Sequence, residues 1–178
     1  MHQEESYESM LSGGHPNSLG RTLEVVADVE KDLPSHLPLL FACYRSKDTV
    51  VRLRTSNAFK RLFRAYPDQF KAYASKFLKK LPTLSQPSAD WTLMQLCFEG
   101  DEYLSKAQRL KAVEYGKLLI KDSDDWIVQN ASIQALSFWA LDDAKLRRWL
   151  KPKLSKLSQS KRKSVANRAK KALEQLST

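Results

Sequence analysis

Two kinds of side chain stand in this sequence with types and spacings that could do chemistry. The first is a run of cations in residues 47–63, KDTVVRLRTSNAFKRLF, continued at once by Arg64. Arg54, Lys60, Arg61 and Arg64 have no acid nearby in sequence, and guanidinium and ammonium groups on one helix could hold phosphate oxygens. A second cationic set, Lys161, Arg162, Lys163, Arg168 and Lys170, lies near the end of the chain. The other kind is an acid beside an indole, at Asp90 with Trp91 and at Asp125 with Trp126. Such a pair could stack on a base while its carboxylate stabilises a developing cation.

The usual catalytic signatures are missing. There is no glycine-rich phosphate loop, no H-E-x-x-H and no G-x-S-x-G. His2, His15 and His36 fall in separate segments with no Cys or carboxylate at ligand spacing, so no metal site and no cofactor are expected. Cys43 and Cys97 stand alone in apolar helical patterns and read as buried, reduced thiols. On these grounds the chain is expected not to be an enzyme.

Charge is unevenly placed. The net charge of +10 resolves into net −5 over residues 1–44, +9 over 45–81, −4 over 82–142 and +10 over 143–178. Two basic blocks separated by an acidic one point to an acidic partner, nucleic acid among them. No apolar run approaches the ~18–20 residues of a membrane span, and the acidic start MHQEESYESM is unlike a secretory leader. A cytoplasmic protein without membrane partners is the expectation.

The elements that must position these groups are helical. With 5 Gly, 7 Pro and no strand-like alternation, the 178 residues suit one all-α domain. Residues 1–17, ending in SGGHPNS, read as a flexible lead-in, and 18–178 as a single repeat domain. Setting residues 48–62 above 125–139 aligns Val51 with Val128, Ala58 with Ala135 and Phe59 with Leu136, an offset of 77. A further step of 37 reaches Val165, Ala172 and Leu173, and halving the 77 predicts another copy near 88–92. The period of about 37–40 residues is that of stacked helix pairs. First helices are expected near 35–45, 69–81, 104–121 and 143–157. Asp48, Asp90, Asp124 or Asp125, and Ser158 or Ser160 are expected as N-caps of the second helices. Residues 19–29 add one N-terminal helix, and the stripe Val165, Ala169, Ala172, Leu173 and Leu176 suits a terminal capping helix.

With this period and the Asp-x-Val-Val-Arg start at Asp48, the chain resembles small HEAT-like, armadillo-type repeat proteins of bacterial type. The resemblance covers residues 18–178 and implies a right-handed α-solenoid of about four helix pairs plus an N-terminal helix. Gln129 and Ala166 replace Arg52 in the later copies, so a continuous Asp–Arg ladder is not implied. Some alkyl-base DNA glycosylases use a similar superhelix, with an acid and tryptophans in a basic groove. The simpler reading of Asp90 with Trp91 and Asp125 with Trp126 is a capping acid and an indole packed between repeats. Trp139 and Trp149 fall on apolar stripes and are expected in the core.

At ~100° per residue, Arg52 falls at the edge of the apolar arc, one turn after Asp48. Its stem is expected to cover apolar surface while its guanidinium meets Asp48 or a neighbouring acid. Arg54 and Arg61 share the opposite flank, and Lys60 and Arg64 point outward. The leading expectation is a non-catalytic binding module with a protein partner. The alternative is sequence-independent nucleic-acid binding through Arg54, Lys60, Arg61, Arg64, Lys161, Arg162, Lys163, Arg168 and Lys170. A glycosylase is the distant third.

Overall fold

The computed structural model describes residues 5–177. Among them are ten α-helices and no strand. In chain order these are α1 (Tyr7–Leu11), α2 (Thr22–Val29), α3 (Leu33–Ala42), α4 (Thr49–Ala65), α5 (Asp68–Lys80), α6 (Pro87–Glu99), α7 (Lys106–Asp122), α8 (Trp126–Trp139), α9 (Ala144–Leu157) and α10 (Lys163–Gln175). The chain divides into two compact units, one ending at Phe70 and one beginning at Lys71, where a single domain was expected.

In the first unit, α2 and α4 pack together and α1 lies against α2, α3 and α4. Asp32 caps α3, its carboxylate accepting from the Ser35 N–H at 3.3 Å, and Pro34 sits in the first turn, where a missing N–H costs nothing. The core is aromatic. Tyr44 stacks on Phe59 with ring centroids 6.0 Å apart, and Phe59, Phe63 and Phe70 continue the row. The buried Tyr44 hydroxyl meets Ser56 Oγ at 2.9 Å, so burying that aromatic leaves no stranded polar group.

In the second unit, α8 is central. It packs on α6, α7, α9 and α10, and α9 also packs on α10. Ser105 and Gln108 form a capping box at the start of α7. Gly116 lets α7 approach closely, since a Cβ there would stand 2.8 Å from Met94 Cε and 3.2 Å from Leu136. Val165, Ala169 and Ala172 of α10 and its C-cap Leu176 are buried, leaving the other face of the helix to solvent.

Helix placement follows the periodicity closely, but three readings need correction, one being that neither Ser158 nor Ser160 caps α10, whose N-cap is Arg162. The lead-in drawn at 1–17 contains α1, whose Tyr7 and Leu11 are buried; residues 1–4 lie outside the described residues. Asp90 does not cap α6, because Pro87 sits at the N-terminal end of the helix and Asp90 falls inside it. Proline is well suited to the first turn, so the start moved three residues upstream of the acid.

Candidate functional site

One small turn recurs before three of the helices and fixes their register. The Asp48 N–H donates to Ser46 Oγ at 3.1 Å, Asp125 to Ser123 Oγ at 3.3 Å, and Arg162 to Ser160 Oγ at 3.2 Å. In the first two copies the acid then caps the helix: Asp48 Oδ1 accepts from Val50, and Asp125 Oδ1 from Ile127 and Val128. Arg162 supplies no side-chain cap to α10. Arg52 Nη1 donates to the Ser46 carbonyl at 2.7 Å, and Gln129 Nε2 donates to the Ser123 carbonyl at 2.8 Å. Gln129 therefore does the work of the arginine it replaces, bracing the turn from six residues downstream.

Beyond that turn the copies diverge. Arg54 was expected to be open to an acidic ligand, and this must be corrected: it is 1% exposed. Its guanidinium donates to the carbonyls of Leu11 (2.8 Å), Ser12 (3.2 Å), Gly13 (2.6 Å), His15 (3.2 Å) and Ser18 (3.1 Å). A planar fork with five N–H groups matches this converging backbone, whose dipoles offset the buried charge. Gly20 permits the close approach, at φ +51°, with a Cβ there meeting Arg54 Cζ at 2.7 Å. The lead-in is thus tied down by one of the cations expected to bind something else.

Lys60 is partly buried and Arg61 and Arg64 are exposed on α4. On α8 the equivalent positions, 77 residues on, are Ser137, Phe138 and Leu141. Phe138 is 42% and Leu141 46% exposed, large apolar side chains at places where α4 carries cations. They line a cleft of about 620 Å³ between α8 and α10, with Phe98 of α6 at one side. Phe98 and Phe138 meet edge to face, with centroids 5.4 Å apart. Arg147 donates to the carbonyls of Ala140 and Leu141, which holds the end of α8 in place. Ser137 borders the cleft, but its Oγ is buried and, among the described residues, has no hydrogen-bond partner. Arg168 and Lys171 supply the cationic wall.

The other nominated cations, Lys161, Arg162, Lys163, Arg168 and Lys170, are all exposed in the second unit. Arg61 and Arg64 belong to the first unit.

Of the two acid–indole pairs, only Asp125 is a cap, and Trp126 is 44% exposed rather than packed between helices. Asp90 accepts from the Tyr115 hydroxyl at 2.6 Å. Burial, with Asp125 adding to it, raises the Asp90 carboxyl above its ordinary value; burial and Asp90 raise the Tyr115 hydroxyl. Trp139 is buried as expected, but its Nε1 donates to Asp101, which also takes both prongs of Arg109. Trp149 is partly exposed beneath Lys117 and Lys153. Burial pushes the Cys43 thiol up to about 11 and the Cys97 thiol up to about 12, which disfavours the reactive thiolate.

Phe138 and Leu141 escaped the sequence reading although the repeat held the signal: both fall on a face that α4 fills with charge. Among the described residues no helix is long and apolar enough to cross a membrane. Comparison with protein-family models, curated proteins and solved structures found no match to this chain.

Proposed function

We propose that the chain is a non-catalytic HEAT-like repeat module, a right-handed solenoid of about four helix pairs with an added N-terminal helix, that binds a protein partner in the cleft between α8 and α10. Three Ser-initiated turns at offsets of 77 and 114 residues support the repeat reading. The observation that carries the binding reading is the exposed Phe138. Its repeat equivalents, Arg61 and Gln175, are polar and exposed, so stacking makes no demand for an aromatic there. An exposed aromatic beside Leu141, walled by Arg168 and Lys171, has the apolar centre and polar rim of a protein contact.

The test places a photo-reactive benzoylphenylalanine at Phe138 or, as a control, at Leu110, which is 61% exposed on α7 outside the cleft. Irradiation in native extract should give a discrete protein adduct from position 138 and none from 110. No adduct at 138, or the same adducts from both, would contradict the reading.

A second reading, sequence-independent nucleic-acid binding, is favoured by the exposed cations around the start of α10. It requires a labelled duplex to bind at ~50 mM salt and to lose affinity steeply by ~200 mM. Binding with a flat salt response would remove it.

A further inference from the structure

Arg54 shows what an arginine at this place in the repeat can do, and the same place recurs. Adding 114 residues, the offset that carries Val51 to Val165 and Ser46 to Ser160, takes Arg54 to Arg168. The structure supports this register: Val51 and Val165, and Ala58 and Ala172, are all buried, and the Ser46 and Ser160 turns have the same hydrogen bond. At the position between them, 77 residues from Arg54, stands Ala131, which presents no donor. Two arginines therefore occupy equivalent sites, in opposite states. Arg54 is enclosed by a backbone segment that starts with the buried Leu11 and turns through Gly13, Gly14 and Gly20. Arg168 is exposed on the wall of the cleft and, among the described residues, makes no hydrogen bond or ion pair. Beside it lies an apolar floor of Phe98, Phe138 and Leu141, with no counterpart of Leu11 seated on it.

From this internal precedent we infer that the α8–α10 cleft takes a glycine-containing peptide turn of a protein partner, whose backbone carbonyls converge on the Arg168 guanidinium while an apolar side chain rests on Phe138 and Leu141. The proposal rests on the protein-binding reading above and names the kind of segment bound. Its chemistry is that of residues 11–20 of this chain, LSGGHPNSLG, seen from the side of the ligand. The guanidinium suits that role because its planar fork can serve several carbonyls at once, which an ammonium cannot do in one plane.

Carbonyls are dipoles without net charge, so the bond they make to Arg168 differs from a phosphate or carboxylate contact in its response to salt. The probe is a fluorescein-labelled synthetic peptide of residues 11–20, titrated by anisotropy into the full chain. Saturable binding is expected, with Kd on the order of 0.1 mM for so short a ligand. Affinity should change less than about threefold between ~50 and ~200 mM salt. Arg168→Met should weaken binding at least about tenfold, Phe138→Arg comparably, and Arg168→Lys should restore only part of the loss. Circular dichroism of each variant should match the parent, since both positions lie at the surface.

No saturable binding, or binding unchanged by Arg168→Met, overturns the inference. So would an oligonucleotide of matched length that displaces the peptide with a steep salt slope, because the cleft would then recognise charge. A protein adduct from position 138 together with failure of this peptide would remove the carbonyl mode and leave the protein-binding reading standing. Absence of both removes both.

Discussion

α4 and α8 begin in the same way and end with opposite surfaces. Each opens on a Ser turn, a capping Asp and a long polar side chain bracing the turn from six residues downstream. Each buries the same valine and alanine positions, Val51 with Ala58 and Val128 with Ala135. Outside that framework the chemistry reverses. Where α4 has Arg54 gripping the backbone of the lead-in, α8 has the small Ala131, and where α4 shows Arg61 and Arg64 to solvent, α8 shows Phe138 and Leu141. The difference separates what the fold needs from what the surface is free to vary. A repeat keeps its turn and its core, and function is written on the positions that neither uses.

Perturbing the two helices should therefore give unequal results. The largest loss is expected for Arg54→Met, which leaves five carbonyls without their shared donor. Chemical unfolding should register a destabilisation of roughly 3 kcal/mol, and limited proteolysis should cut within residues 11–20. Unchanged protection there would mean that Arg54 does not hold the segment. Gly20→Ala comes next. It places a Cβ against a guanidinium that cannot move away, at a positive φ, and should cost roughly 2 kcal/mol by the same unfolding assay. Removing the shared caps is milder and should be symmetrical: Asp48→Ala and Asp125→Ala should each cost about 1 kcal/mol. A loss from only one of them would break the equivalence of the two turns.

The smallest effect concerns Asp90. Its carboxyl is raised in the folded chain, chiefly by burial, so its contribution to stability is present below its unfolded value and is lost as pH rises through the folded one. At neutral pH the ionised group sits in a half-buried place. Asp90→Asn should accordingly leave the melting temperature unchanged or slightly higher at pH 7. The gap from the parent should close as pH falls toward about 4, where an ordinary Asp takes up its proton. A lower melting temperature for the variant at pH 7 would show that the charged hydrogen bond from Tyr115 outweighs desolvation.

Most of the helical framework could be read in advance because it depends on local rules. Asp48, Asp125 and the apolar stripe of α10 announce helix starts and buried faces through spacing alone. Asp90 misled because it occupies the repeat position of a cap while Pro87 starts the helix earlier. Arg54 misled for a different reason. Its partners lie 36–43 residues away and are backbone carbonyls, which carry no side-chain signature. Gly13 and Gly14 read as flexibility in the lead-in, whereas that segment wraps a guanidinium. Phe138 was legible only by asking what the repeat does not require, since an aromatic on an apolar helix otherwise reads as core.

The most direct test of that distinction is the equilibrium unfolding of a chain carrying both Phe138→Arg and Leu141→Arg, the side chains that α4 bears at the equivalent positions. If the cleft is a surface written for a partner, the double variant should lose only about 1 kcal/mol, the worth of the edge-to-face contact with Phe98. A loss of roughly 3 kcal/mol or more would contradict this account, because it would make Phe138 and Leu141 part of the core that holds the second unit together.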